Sequence, residues 1–181
     1  MKDPATIEEK ASRIRLLLFD VDGVLTDGRI LVHADGSESK LFSIRDGTGI
    51  VWAHRAGLRT GILSARHSPA TAVRAAQLGI QIVRQQAGEK LETYRNLIRE
   101  EHLLSEEVAF MGDDLLDFPV LSLVGLSAAP ADAAPEVRDR VDWVSAHRGG
   151  RGAARELVEL VLRAQGRWAG VVEHYLPGAP A

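Results

Sequence analysis

Five aspartates fall where two apolar runs end. Asp20 and Asp22 stand in Asp20-Val21-Asp22-Gly23, directly after Ile14 to Phe19, and Asp113, Asp114 and Asp117 follow the run that ends at Met111. Ser64 closes a third apolar run, Arg59 to Leu63, and Lys90 opens a helical pattern. Two like charges about 4 Å apart repel by roughly 4 kcal/mol at an effective dielectric near 20, so carboxylates that converge need a compensating cation. A lysine and a divalent metal would supply it. The donors are oxygens, with no cysteine and no histidine pair at ligand spacing, which favours a hard ion and Mg²⁺ over Ca²⁺ or Zn²⁺. A carboxylate can also attack phosphorus, forming an aspartyl phosphate that divides hydrolysis into two steps. Asp20 suits that role, and Asp22, two residues on, suits the acid that protonates the leaving oxygen and then the base that activates water.

Each residue also has a plainer reading. Asp and Gly are ordinary turn residues. Ser64, or Ser68 before Pro69, could simply cap the following helix, a role compatible with holding phosphate. Lys90 and Lys40 each read, taken singly, as solvated lysines. The arginines Arg148, Arg151 and Arg155 are either just a charged helix start or, since they oppose its dipole, call for an anion through a substrate or subunit contact. The six histidines show neither ligand spacing nor a serine-triad order, and Trp52, Trp143 and Trp168 read as core or interface aromatics.

The elements that must position these groups read as alternating strands and helices. Apolar runs at Ile14 to Phe19, Arg59 to Leu63, Ile80 to Val83 and Val108 to Met111 predict strands, with weaker candidates at Val124 to Leu126 and Trp143 to Val144. Helical periodicity marks Gly49 to Arg55, Pro69 to Leu78, Lys90 to Glu101 and Gly152 to Ala164. Such alternation predicts an α/β fold, a Rossmann-like doubly wound parallel sheet whose ligands gather beyond the carboxyl ends of the strands. Between Arg29 and Ile44 the pattern alternates around Asp35-Gly36, predicting a β-hairpin inserted after the first strand. Gly125 to Glu136, rich in alanine and proline, reads as a loop leading to a short helix, and Pro177 to Ala181 as a frayed tail.

Bulk properties bound the partners. The chain has 181 residues, 45% hydrophobic and 26% charged, which predicts one globular domain over 1–181 with a tail from about 166. With 22 basic and 25 acidic residues the net charge is −3, too even to attract nucleic acid or an anionic membrane. The charged N-terminal stretch and the lack of a long apolar run predict no membrane span and a cytoplasmic location.

In order and spacing, the Asp20-to-Gly28 segment, Ser64, Lys90 and Gly112-Asp113-Asp114-Leu115-Leu116-Asp117 resemble the four motifs of the haloacid dehalogenase superfamily phosphatases. The resemblance implies Asp20 as nucleophile, Asp22 as general acid/base, Ser64 and Lys90 as holders of phosphate, and Asp113 as a ligand joining Asp20 and the Asp22 carbonyl on Mg²⁺. Asp114 and Asp117 would support them.

From about Ile14 to Gly166 the chain resembles, more closely, the capless branch that acts on 3-deoxy-D-manno-octulosonate 8-phosphate. The matching segments are Phe42 to Gly47, Gly61 to Arg66 and Arg148 to Glu156. That resemblance implies no cap domain and a homotetramer built through the hairpin Arg29 to Ile44. It also implies substrate contacts from Gly23, Arg45, Ala65 and Arg66. An arginine at 66 suits a substrate carboxylate, whereas related phosphatases for nine-carbon sugar acids carry glutamate there. Ala65 stands where these enzymes have glycine. Two other classes compete with this reading: a phosphoacceptor receiver domain, whose acceptor aspartate would follow a middle strand, and a non-catalytic assembly module of the same fold.

Overall fold

The computed structural model describes residues 6–177, so all but the first residue of the tail expected at Pro177 to Ala181 lies outside the described residues. Its first half runs α1 (Ile7–Ser12), β1 (Leu16–Phe19), β2 (Leu31–Val32), β3 (Glu38–Ser39), α2 (Ile44–Arg55), β4 (Arg59–Leu63), α3 (Pro69–Leu78) and β5 (Ile82–Arg84). The second half runs α4 (Lys90–Glu100), β6 (Val108–Met111), α5 (Phe118–Leu121), β7 (Leu126–Ala129), α6 (Pro135–Arg138), β8 (Trp143–Val144), α7 (Ala153–Ala164) and α8 (Trp168–Tyr175). Six strands form one parallel sheet in the order β5-β4-β1-β6-β7-β8, and β2 pairs antiparallel with β3 as a separate hairpin. The α/β Rossmann-like fold with an inserted hairpin and no cap domain is therefore the one expected.

Period-two alternation in β1 divides the core. Leu17 and Phe19 face Ile50, Ala53, Leu157 and Val161, on the side covered by α2 and α7, while Leu16 and Leu18 face Tyr94, Leu97 and Phe110 on the side of α4. The chain winds outward from β1 to β4 and β5, then returns to β6 on the other flank of β1. That reversal creates a switch point between β1 and β6, where open α/β sheets place their ligands.

Several elements differ from the sequence reading. Only Leu31–Val32 and Glu38–Ser39 pair in the hairpin, because Ser43 accepts the Asp46 N–H and starts α2 at Ile44. Gly47 and Gly49 lower helix propensity there and hid this first turn. The weak strand candidate at Val124 to Leu126 is β7, which runs on into the segment read as a loop: small buried Ser127, Ala128 and Ala129 lie between β6 and β8, so packing overrides weak strand propensity. α1, opened by a Thr6–Glu9 capping box, and α8, whose Trp168 meets Trp52 edge-on at 5.5 Å, were not foreseen. No helix among the described residues is long and apolar enough to cross a membrane.

Candidate active site

The parallel register carries Asp20 one residue past β1, where its N–H donates to the Met111 carbonyl at 3.0 Å. The chain then makes a wide turn closed by the Thr26 N–H on the Val21 carbonyl at 3.0 Å, with the buried Thr26 hydroxyl on the same carbonyl at 3.1 Å. Gly23 in this turn has φ +96°, and a Cβ there would overlap the Asp113 carboxylate. The turn and the end of β6 are thus in backbone-to-side-chain contact.

Beyond β6, Asp117 folds back. Its Oδ2 accepts the N–H groups of Asp113 at 2.9 Å and Asp114 at 3.3 Å, and its Oδ1 accepts Lys90 Nζ at 2.5 Å. Lys90, at the start of α4 and almost wholly buried, also lies 2.9 Å from Asp20 Oδ1. Asp114 stays exposed and caps the short turn at Leu115. Carboxylate oxygens of Asp20, Asp113 and Asp117 all lie within 4.8 Å of one another.

These charges perturb one another. Burial, then Asp117, push the Asp20 carboxyl up to about 6 against the pull of Lys90. Asp113 is pushed up to about 8 by burial and then by Asp20, Asp117 and Asp114. Burial works against the Lys90 ammonium, but Asp20 and Asp117 outweigh it and raise its pKa. One lysine therefore does not neutralise the cluster, and Asp113 has no ion pair among the described residues.

At the end of β4, Ser64 is buried and tied by its N–H to the Arg84 carbonyl at 2.9 Å. Ala65 and Arg66 follow on the surface. Ala65 is not among the residues of positive φ, so its methyl strains no backbone there. Arg66 reaches back, with Nε 3.7 Å from Asp22 Oδ2 and Nη2 3.0 Å from Glu38 Oε2. Ser64, Lys90, Asp20, Asp22, Asp113 and Arg66 thus gather at one edge of the sheet.

The haloacid dehalogenase-like hydrolase family matches residues 58–157. The 3-deoxy-D-manno-octulosonate 8-phosphate phosphatase KdsC of Escherichia coli K12 is 44% identical over 163 residues, 90% of this chain and 87% of that protein. The chain belongs to the haloacid dehalogenase-like hydrolases. Among solved structures, a probable YrbI family phosphatase from Pseudomonas syringae superposes with a TM-score of 0.93 at 43% identity, covering 96% of this chain and 98% of that one. The 3-deoxy-D-manno-octulosonate 8-phosphate phosphatase of Moraxella catarrhalis, solved with magnesium, phosphate and KDO, gives 0.91 at 31% identity, covering 93% and 97%.

As a member of this family the chain is a phosphatase, and its acidic cluster is fitted to a divalent cation. The donors are all oxygen, which suits a hard ion. Asp117 has both oxygens committed to Lys90 and to backbone N–H groups, leaving Asp20 and Asp113 as the carboxylates available to a metal. A bound cation would relieve the burial and like-charge repulsion that raise Asp113.

Lys40 of this haloacid dehalogenase-like enzyme does not follow the sequence reading, and two further placements were not foreseen. Lys40, read as solvated, has a fully buried side chain whose Nζ lies 2.8 Å from Asp22 Oδ2. Its position one residue beyond β3 was the available signal, since Glu38 and Lys40 share a strand face. Arg45, a candidate substrate contact, is exposed on the first turn of α2 and lines a groove with His147, Arg155, Glu156 and Glu159. The anion called for at the start of α7 is the buried Asp46, which accepts Gly152 N–H at 3.1 Å and Arg155 N–H at 3.0 Å. Arg155 itself pairs with Glu159 and stacks 4.0 Å from the Trp52 ring centroid. The preceding Gly149 lies against the Gly23 carbonyl, where a side chain would not fit. α8 docks on α2 and α7 through Trp52 and Trp168, away from the aspartates.

Proposed function

We propose that the protein is a Mg²⁺-dependent phosphomonoesterase whose substrate is the acidic sugar phosphate 3-deoxy-D-manno-octulosonate 8-phosphate. The observation that carries the chemistry is the convergence of Asp20, Lys90 and Asp113 at the β1–β6 switch point. The names of the curated and solved relatives support the substrate, and Arg66 beside Asp22 supplies a fork for its carboxylate.

Asp20 Oδ attacks phosphorus while the ester oxygen leaves with a proton from Asp22, producing the free sugar and an aspartyl phosphate. Asp22 then takes a proton from water, whose oxygen attacks the same phosphorus, so that phosphate leaves and the Asp20 carboxylate is regenerated. Lys90 and Ser64 hold the phosphoryl oxygens. Asp20, the Asp22 carbonyl and Asp113 would hold Mg²⁺, which when bound supplies positive charge to the phosphoryl group. Asp114 and Asp117 position this set, and Gly23, Ala65 and Arg45 belong to its substrate-facing surroundings.

We further read residues 1–181 as one catalytic domain that assembles as a homotetramer through the hairpin. The support is apolar surface: Leu31 is 63% exposed, Val32 69%, Leu41 79% and Ile44 74%, more than a small hairpin leaves open without a partner. The deciding experiment measures phosphate release with Mg²⁺ across eight- and nine-carbon 2-keto sugar acids and neutral sugar phosphates. The eight-carbon acid is expected to have the highest kcat/KM. A nine-carbon preference would keep the mechanism and replace the substrate. Asp20→Asn is expected to fold and to release no phosphate, and turnover by that variant would refute the covalent route.

A further inference from the structure

The arm that leaves the hairpin is charged on its inner face. Glu38 and Lys40 are two residues apart and point the same way, whereas Ser39 and Leu41 between and beyond them are exposed. Lys40 is bonded to Asp22 and lies 3.9 Å from Glu38 Oε1. Glu38 Oε2 accepts Arg66 Nη2 at 3.0 Å. The four side chains therefore form a closed ring of alternating charge: Asp22, Lys40, Glu38 and Arg66.

Arg66 is the group assigned above to the substrate's carboxylate, and this inference rests on that reading. A guanidinium presents its donors as planar forks, and a carboxylate takes one fork at a time. Glu38 already holds the Nη2 side. We propose that Glu38 sets substrate selectivity by competing with the substrate's own carboxylate for Arg66.

The ring makes the exchange inexpensive. When Arg66 turns to the substrate, Glu38 keeps a cation beside it in Lys40, so neither carboxylate is left buried and unpaired. Ser68 and Arg66, with Lys40, hold the Glu38 carboxyl below the usual carboxylate range, so it stays charged through neutral pH. A sugar phosphate without a carboxylate leaves the Glu38–Arg66 pair in place, so Glu38 narrows the advantage that the acid draws from Arg66.

Steady-state kinetics on Glu38→Gln, Arg66→Ala and the double variant test this, with an eight-carbon 2-keto sugar acid phosphate and a neutral sugar phosphate as paired substrates. The readout is the ratio of kcat/KM between the two. Glu38→Gln is expected to raise that ratio by about two- to five-fold through KM, the range of an ion pair this exposed. In the Arg66→Ala background the same change is expected to leave the ratio where Arg66→Ala alone puts it. Three outcomes overturn the inference: a ratio that falls in Glu38→Gln, which makes Glu38 an orienting partner of Arg66; both substrates gaining equally, which is a general field effect; and no change. If Arg66→Ala leaves the ratio at its wild-type value, the reading of Arg66 fails first and the inference falls with it.

Discussion

Lys90→Met removes one buried ammonium and keeps the stem. Three carboxylates within 4.8 Å repel pairwise by at least about 3.5 kcal/mol at an effective dielectric near 20, about 10 kcal/mol together. On the same scale the contacts of Lys90, 2.9 Å to Asp20 and 2.5 Å to Asp117, return roughly 12 kcal/mol. The protein relaxes by keeping protons on Asp20 and Asp113, so the net cost is nearer the about 3–5 kcal/mol typical of a broken buried pair. For a chain of this length that lowers Tm by about 6–20 °C.

The pH dependence has a definite sign. Asp20 at about 6 and Asp113 at about 8 already bind protons more tightly in the fold than as free carboxyls at 3.8, and losing Lys90 raises both further. The folded form then holds more protons than the unfolded chain above about pH 4, so the deficit widens as pH climbs toward 8. Scanning calorimetry in EDTA at pH 5.5 and pH 8 should give the larger Tm loss at pH 8. Mg²⁺ should recover much of that loss, whereas kcat should stay down by about 10²- to 10³-fold, because charge balance is restored but the phosphate holder is not. A metal-free variant within about 2 °C of wild type at pH 8 would refute the electrostatic argument, and retention of more than about a tenth of kcat would refute the role of Lys90.

Wild-type protein obeys the same linkage, and its thermal stabilisation by Mg²⁺ should be greater at pH 8 than at pH 5.5, with EDTA abolishing both that shift and turnover. Lys40→Met should lower kcat by about 10- to 100-fold through loss of the contact that fixes Asp22, and Lys40→Arg should recover part of it; equal kcat in all three proteins would leave Lys40 a purely structural residue. Leu41→Arg, at the most exposed apolar position of the hairpin arm, should shift the sedimentation coefficient to a smaller species, and an unchanged coefficient would place the assembly surface elsewhere.

The aspartates were legible because Asp-x-Asp-Gly after one apolar strand recurs with Gly-Asp-Asp after another, and the β-α alternation indicated which strand ends would meet. Lys90 needed the other motifs to stand out from solvated lysines. Lys40 and Asp46 were not legible in the same way. Each acts on a partner distant in sequence, Asp22 at a separation of 18 and Gly152 at 106, and neither sits in a spacing that reveals that partner. β7 was only partly legible: a weak strand was read at Val124 to Leu126, but Ser127 to Ala129 has loop-like composition and pairs because it lies between two strands. Local pattern reports elements and strand-end chemistry, while long-range pairing of single charges is a property of the packed chain.

The inner and outer faces of the hairpin arm are unlike for a reason that joins chemistry to architecture. There is no cap domain, and the groups that surround Asp22 and Arg66 within the chain include two from this insertion, Glu38 and Lys40. Residues 38 to 41 alternate half-buried, exposed, buried and exposed, so a two-residue period delivers Glu38 and Lys40 to the site and leaves Leu41 outside. A shift of one residue in this arm would turn both charges outward and bring Leu41 against Asp22, leaving a half-buried carboxylate with only the exposed Arg66 as its cation. Register is therefore fixed from within, by the Lys40–Asp22 contact, even though only two residues of each hairpin strand pair. The weak pairing and the strong ion pair are complementary: the arm is held where it touches the catalytic loop and left open where its apolar face projects.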